Sequence, residues 1–259
     1  MDLMIAGKRA LITGASGGLG SETARFLHDE GVALFLTDRD EDGLDAVADR
    51  FGADRAVADL SSKEGCDALA EKAGTIDIWV HAAGVTGAKG DPLRMSEDDW
   101  HDALAIDFLS AVRLARHLCP PMVERGWGRV VMLASENVAQ PYPDETVYNS
   151  AKSALVSFAK SVAMQHSGSG MLVNCVAPAF IETPMTDGMM EQRADEMDVS
   201  EDEAVASFLK EERPYLVLGR RGKPAEVAAV IAMLCSERAS FVTGANWHVD
   251  GGSVGSINI

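Results

Sequence analysis

The sequence predicts an α/β protein, with a doubly wound parallel sheet of about seven strands and helices on both faces. Two observations carry that class. Short β-type apolar runs alternate with longer stretches of helical periodicity from end to end. No Pro- or Gly-rich linker divides the 259 residues and no internal repeat is visible, so residues 1–259 read as one domain. Strand, helix and strand in succession imply right-handed crossovers, and these restrict the topology to a doubly wound sheet.

The elements follow in order. Lys8–Thr13 reads as a strand, and Leu19–Glu30 as an amphipathic helix stopped by Gly31. Val32–Thr37 is a second strand, Glu41–Phe51 a polar helix, and Arg55–Ala58 a short third strand. A helix over Ser62–Ala73 leads to a strand at Ile76–His81. A long helix fits Ser96–Leu118, because Ser96 suits an N-cap and the acids Asp98 and Asp99 suit the positive end of a helix dipole. Gly128–Ala134 is a strand, Val147–His166 a helix and Leu172–Val176 a strand. Pro178–Gly222 reads as irregular or short-helical, Pro224–Cys235 as a helix with proline in its first turn, and Asn246–Val249 as a last strand.

Composition narrows the function. Asp and Glu number 40 against 23 Lys and Arg, a formal charge of −17, and such a surface repels phosphate backbones and anionic lipid. Nucleic acid and membranes are therefore not expected partners. No apolar run is long enough for a membrane helix, and the start of the chain lacks the pattern of a signal peptide, so a cytoplasmic protein is expected. Cys66, Cys119, Cys175 and Cys235 are scattered and read as buried thiols of a reducing compartment; with no clustered histidines, no metal is expected.

The first strand runs into Thr13-Gly14-Ala15-Ser16-Gly17-Gly18-Leu19-Gly20, where Gly14, Gly18 and Gly20 form a G-x-x-x-G-x-G spacing at a strand-to-helix turn. Such a loop turns tightly and lets backbone N–H groups approach a pyrophosphate at the positive end of a helix. Asp38 closes the second strand, where a carboxylate accepts the adenosine ribose hydroxyls and repels a 2′-phosphate. That favours NAD as cofactor over NADP, although Arg39 next to it suits a 2′-phosphate. Asp59 suits either a cap for the following helix or acceptance from the adenine amino group.

The chemistry concentrates in Ser135 and in Tyr148-Asn149-Ser150-Ala151-Lys152. Tyr148 and Lys152, four apart, share one helix face. A free tyrosine titrates near ~10, and a neighbouring ammonium with a positive nicotinamide ring would lower that value toward use as a base. Ser135 would hydrogen-bond the substrate oxygen as alkoxide character develops.

With the loop, the Ser135…Tyr148…Lys152 set and Asn174-Cys175-Val176-Ala177-Pro178 in place, the chain resembles the short-chain dehydrogenase/reductase family, in its ordinary Rossmann-type short form. The likeness runs from Thr13 to Gly252. It implies NAD(P)-dependent interconversion of an alcohol and a carbonyl, and a homotetramer whose subunit contacts involve the helices at Ser96–Leu118 and Val147–His166. It puts the cofactor against Gly14, Ser16, Gly18, Leu19, Gly20, Asp38, Asp59, Leu60, Ala83, Gly84, Tyr148 and Lys152, with Ile181 and Thr183 at the nicotinamide carboxamide. Three positions depart from the family pattern. His81 stands in place of the first Asn of Asn-Asn-Ala-Gly and reads as a packed core histidine. Asp107 stands in place of the asparagine that completes the catalytic set, a position the family uses largely through its backbone carbonyl; its charge would alter the proton relay beside Lys152. Ala179 replaces a glycine.

The loop between Ser135 and Tyr148 must pass close to the reacting carbon, and its Glu136 and Glu145 suit either substrate recognition or solvation. The resemblance implies that residues 185–218 form a substrate lid; its Met185, Met189, Met190 and Met197 suit either a non-polar, alicyclic substrate or simple packing of short helices, and its acids suit a solvated face. The first expectation is an NAD-dependent oxidoreductase acting on a secondary alcohol. A cis-dihydrodiol dehydrogenase, an NADPH-dependent ketoreductase and, remotely, a catalytically silent nucleotide-binding scaffold are the alternatives.

Overall fold

A computed structural model describes residues 2–166 and 168–256. The chain runs β1 (Arg9–Thr13), α1 (Gly18–Asp29), β2 (Ala33–Asp38), α2 (Glu41–Phe51), β3 (Asp54–Val57), α3 (Lys63–Ala73) and β4 (Ile78–His81). It continues through α4 (Glu97–Leu104), α5 (Ser110–Glu124), β5 (Gly128–Leu133), α6 (Thr146–Gln165) and β6 (Met171–Pro178). Then come α7 (Pro184–Met197), α8 (Glu201–Glu211), α9 (Pro224–Leu234) and β7 (Asn246–Val249). The seven strands form one sheet in the order β3-β2-β1-β4-β5-β6-β7, every neighbouring pair parallel. The doubly wound class and its seven strands are as the sequence predicts.

The two-residue period of a strand divides the core in two. Leu11, Trp79, Val130 and Met132 face one cluster with Leu69, Leu114 and Leu155 of α3, α5 and α6. Ile12, Ile78, Val80, Val131 and Leu133 face the other, with Ala24 and Leu27 of α1, Leu44 of α2 and Val227 and Ile231 of α9. With both faces covered, the central strands are apolar at nearly every position. The sheet order reverses between β1 and β4, and the crevice beyond the strand ends at such a switch point is where this class of sheet binds ligands.

Two regions differ from the sequence expectation. The expected single helix over Ser96–Leu118 is interrupted by a π-helical turn at Ala105–Leu109, and its second part runs on to Glu124 through Pro120 and Pro121. Burial of Leu118, Cys119 and Met122 outweighs the backbone hydrogen bonds the prolines remove in that last turn. The segment 178–222 holds two regular helices, α7 and α8, which pack on each other around Met190, Phe180 and Phe208; Ser200 caps α8 in a reciprocal pair with Glu203. Among the described residues no helix is long and apolar enough to cross a membrane.

Candidate active site

The site begins with the end of α1 that nothing caps. Gly17 precedes this helix without a side-chain cap, and no acid occupies its first turn, so the positive end is left for a ligand. The glycines are needed for close approach. Gly14 has φ +67°, and a Cβ there would lie 2.7 Å from the Ala83 nitrogen; at Gly18 it would lie 2.9 Å from Thr183 Cγ2. A cavity of about 270 Å³ runs from this loop past Gly84 to Ile181, Thr183 and Ser135. Uncapped helix end, glycine cradle and cavity together fit a dinucleotide's pyrophosphate and nicotinamide.

The structure brings most of the predicted residues to this cavity. Gly14, Gly18, Leu19, Gly20, Gly84, Ser135, Tyr148, Lys152, Ile181 and Thr183 line it. Ser16, Asp38, Asp59, Leu60, Ala83 and Asp107 lie outside its lining. Asp38 is fastened to the glycine loop, its carboxylate accepting from the Ser16 N–H at 3.0 Å and the Arg39 N–H at 2.7 Å. Ala83 N–H donates to Thr13 Oγ1, while Leu60 is buried in the core. Asp59 does not cap α3: Ser62 does, accepting from the Gly65 N–H, and Asp59 accepts instead from Ser61, whose hydrogen bonds hold its carboxyl below the usual range.

Below Tyr148 lies a buried charge pair. Lys152 Nζ sits 3.1 Å from Asp107 Oδ1 and donates to the Leu133 carbonyl at 3.0 Å, while the Val85 N–H also donates to Asp107 Oδ1. Asp107 thus meets Lys152 through its carboxylate, where the family pattern led us to expect the backbone carbonyl. It is carried there by the π-helical turn, a distortion that recurs at functional sites. Burial pushes the Asp107 carboxyl up against the pull of Lys152; burial opposes the Lys152 charge, but Asp107 holds the ammonium above its ordinary value. Tyr148 differs from expectation. Burial raises its phenol above the ordinary value, Lys152 lowers it, and Asp107 raises it again, so the lysine alone does not make the tyrosine a ready base.

His81 is a packed core residue, as the sequence suggests. Its Nδ1 meets Thr13 Oγ1 at 3.0 Å and its Nε2 meets Ser110 Oγ at 3.1 Å. Burial, helped by the Lys152 charge, lowers its pKa to about 3, so the ring is neutral. Ser110 donates to the Ile106 carbonyl in the π-helical turn, which ties His81 to the segment carrying Asp107.

A second polar group rises above the floor, and sequence reasoning found only part of it. Ser135 Oγ donates to Asn137 Oδ1 at 2.9 Å. Asn137 Nδ2 donates to Glu145 Oε2 at 2.6 Å and to Asn149 Oδ1 at 2.8 Å. Lys89 Nζ donates to Glu145 Oε1 at 2.8 Å. Arg213 lies 3.5 Å from Glu136 Oε1 and 3.6 Å from Glu145 Oε1, with its guanidinium 3.5 Å from the centre of the Tyr142 ring. Glu136 and Glu145 are therefore buried, and the solvated reading fails for both. Burial raises the Glu136 carboxyl; it also opposes the Glu145 charge, but Lys89 and Asn137 hold Glu145 below the usual range. The acids of α7 and α8 do form an exposed face. Of the four methionines, Met185 and Met189 line the cavity, Met190 packs inside the helix pair and Met197 is exposed.

Comparison with known proteins agrees with this geometry. Residues 14–254 match a family model described as enoyl-(acyl carrier protein) reductase. Nodulation protein G of Rhizobium sp. (strain N33) is 35% identical, over 96% of this chain and 97% of that protein. A 3-oxoacyl-[acyl-carrier-protein] reductase of Rickettsia conorii is 32% identical, with 96% and 97% covered. The L-sorbose reductase of Gluconobacter frateurii, solved with NADPH and L-sorbose, superimposes with a TM-score of 0.91 at 32% identity, over 99% of this chain and 100% of that one. A glycine cradle, a helix carrying Tyr148 and Lys152, and relatives matched over nearly their whole length make this chain an oxidoreductase with a Rossmann-type nucleotide-binding fold and a member of the short-chain dehydrogenase/reductase family.

Proposed function

We propose that the protein interconverts a secondary alcohol and a ketone by hydride transfer, with NAD(H) as its cofactor. The observation that carries this reading is the convergence of Ser135, Tyr148 and Lys152 on the cavity that the glycine loop also lines. In oxidation the substrate oxygen gives its proton to Tyr148, its carbon loses a hydride, and a ketone remains. An oxidised nicotinamide held by the glycine loop, Ile181 and Thr183 would supply the hydride acceptor and a positive charge beside the phenol. That charge matters because burial and Asp107 together oppose the phenolate. Lys152 stabilises the phenolate from below, with Asp107 and the Leu133 carbonyl fixing its ammonium. Ser135 holds the substrate oxygen, for which its hydroxyl proton must swing away from Asn137.

Asp38 supports NAD(H). Its carboxylate is anchored at the corner where a 2′-phosphate would sit, and Asp40 follows in the same turn. A second reading, reduction with NADPH, is favoured by the L-sorbose reductase, which was solved with that cofactor. The −17 charge argues against any acidic protein as partner. We further propose a homotetramer, supported by an apolar groove of about 370 Å³ between α5 and α6 lined by Ala115, Cys119, Val123, Phe158 and Val162.

Fluorescence titration with NADH and NADPH, on the native chain and on Tyr148→Phe, tests the reading. Tighter binding of NADH, retained in Tyr148→Phe while turnover falls by more than about a thousandfold, is expected. Tighter NADPH binding overturns Asp38 as selector. Unchanged turnover in Tyr148→Phe overturns the mechanism.

A further inference from the structure

We propose that the site selects a neutral, polyhydroxylated alcohol and its keto form, a substrate class that rests on the alcohol–ketone reading above. The wall above Ser135 is polar in a particular way. Lys89 and Arg213 are two cations facing two acids, Glu136 and Glu145, all four lining the cavity. Their charges cancel, and the Lys152–Asp107 pair beneath them cancels too. An anionic substrate would find no unbalanced cation there, because Lys89 is already offset by Glu145 and Arg213 by both acids.

An apolar substrate fits no better. It would strip water from the Lys89 ammonium, which is 37% exposed and has donors left over after serving Glu145. Leaving that ammonium against hydrocarbon, with no partner to replace the water, is unfavourable. A hydroxyl both donates and accepts, so a run of hydroxyls can serve Lys89, the Glu145 carboxylate and the Asn137 amide without adding net charge. The chain Ser135–Asn137–Glu145–Lys89 leads away from the reacting centre, so the hydroxyls beside the reacting carbon would meet it in order. Met185, Met189 and Phe208 elsewhere in the lining would cover the C–H face of such a molecule. The methionines therefore do not by themselves call for the alicyclic substrate that the sequence suggested.

The test compares hexitols (sorbitol and mannitol), gluconate and cyclohexanol as substrates, in the native chain and in Lys89→Met. The expected result is a kcat/KM for a hexitol at least about tenfold above those for gluconate and cyclohexanol, with the hexitol preference reduced about tenfold in Lys89→Met, mostly through KM. Preference for gluconate or cyclohexanol, or a hexitol preference untouched by Lys89→Met, overturns the substrate class. Turnover of cyclohexanol without turnover of any hexitol leaves the reaction standing and removes this proposal alone. Turnover of none of them, with nicotinamide binding intact, removes both.

Discussion

The cavity carries two groups of paired charges, one below Tyr148 and one above Ser135, and they are built differently. The lower pair is anchored to backbone: Lys152 is held by a carboxylate and by a carbonyl of β5, and Asp107 Oδ1 also takes a backbone N–H. The upper group is shared: Glu145 serves Lys89, Asn137 and Arg213 together, from two loops and the end of α8. Charges anchored to backbone have one arrangement and suit the tuning of a proton. Charges anchored to side chains on loops can exchange partners and suit the recognition of a substrate. Removing one member should therefore change pH behaviour below and substrate affinity above.

The largest effect on stability is expected at His81, which braces the lower pair through Ser110. Its folded pKa of about 3 lies below the ordinary imidazole value of 6.5. Between these values the unfolded chain binds a proton that the folded chain does not, so stability is present above 6.5 and lost as the pH falls toward 3. The loss approaches about 1.4 kcal/mol per pH unit. His81→Asn removes that slope, at a cost of about 1–3 kcal/mol at neutral pH from the lost hydrogen bonds. Urea denaturation at a series of pH values should show the gap between the variant and the native chain narrowing on acidification. A gap that stays constant would mean His81 titrates normally.

How far each region could be read in the sequence follows from the same difference. The glycine loop, Asp38 and the Tyr148/Lys152 pair are local patterns, set by a strand-to-helix turn or by one turn of helix, and they stand where the spacing put them. The upper group joins Lys89 to Glu145 across 56 positions, and Arg213 reaches back to Glu136 from the end of α8. No periodicity marks such partners. The sequence leaves Glu136 and Glu145 open between substrate recognition and solvation because their cations come from elsewhere in the chain. The π-helical turn was illegible for a related reason: nothing in Ala105-Ile106-Asp107-Phe108-Leu109 breaks helical periodicity, and tertiary contacts to Lys152, Val85 and His81 select it.

Asp107→Asn sharpens the lower half of the comparison. The carboxylate raises the Tyr148 phenol, and the amide removes that charge while keeping the shape. Alcohol oxidation needs the phenolate, so the ascending limb of kcat/KM against pH should move to lower pH, with KM little changed. Movement to higher pH would mean that Lys152, deprived of its counter-ion, had lost its own proton and its hold on the phenolate. The measurement thus reports whether Asp107 acts on Tyr148 directly or through the lysine.

Arg213→Met addresses the upper half with a smaller expected change. Methionine keeps an apolar stem against Tyr142 and Phe208, and so preserves much of the packing that holds α8 to the loop. It leaves Glu136 without its cation, and that carboxyl, already raised by burial, takes up a proton. KM for the preferred alcohol should rise about tenfold while kcat stays within about twofold, since Arg213 touches neither Tyr148 nor Lys152. A fall in kcat equal to the rise in KM would say something else. Arg213 would then be acting through Glu145, Asn137 and Ser135 on the reacting oxygen, and the two groups of charges would be one device.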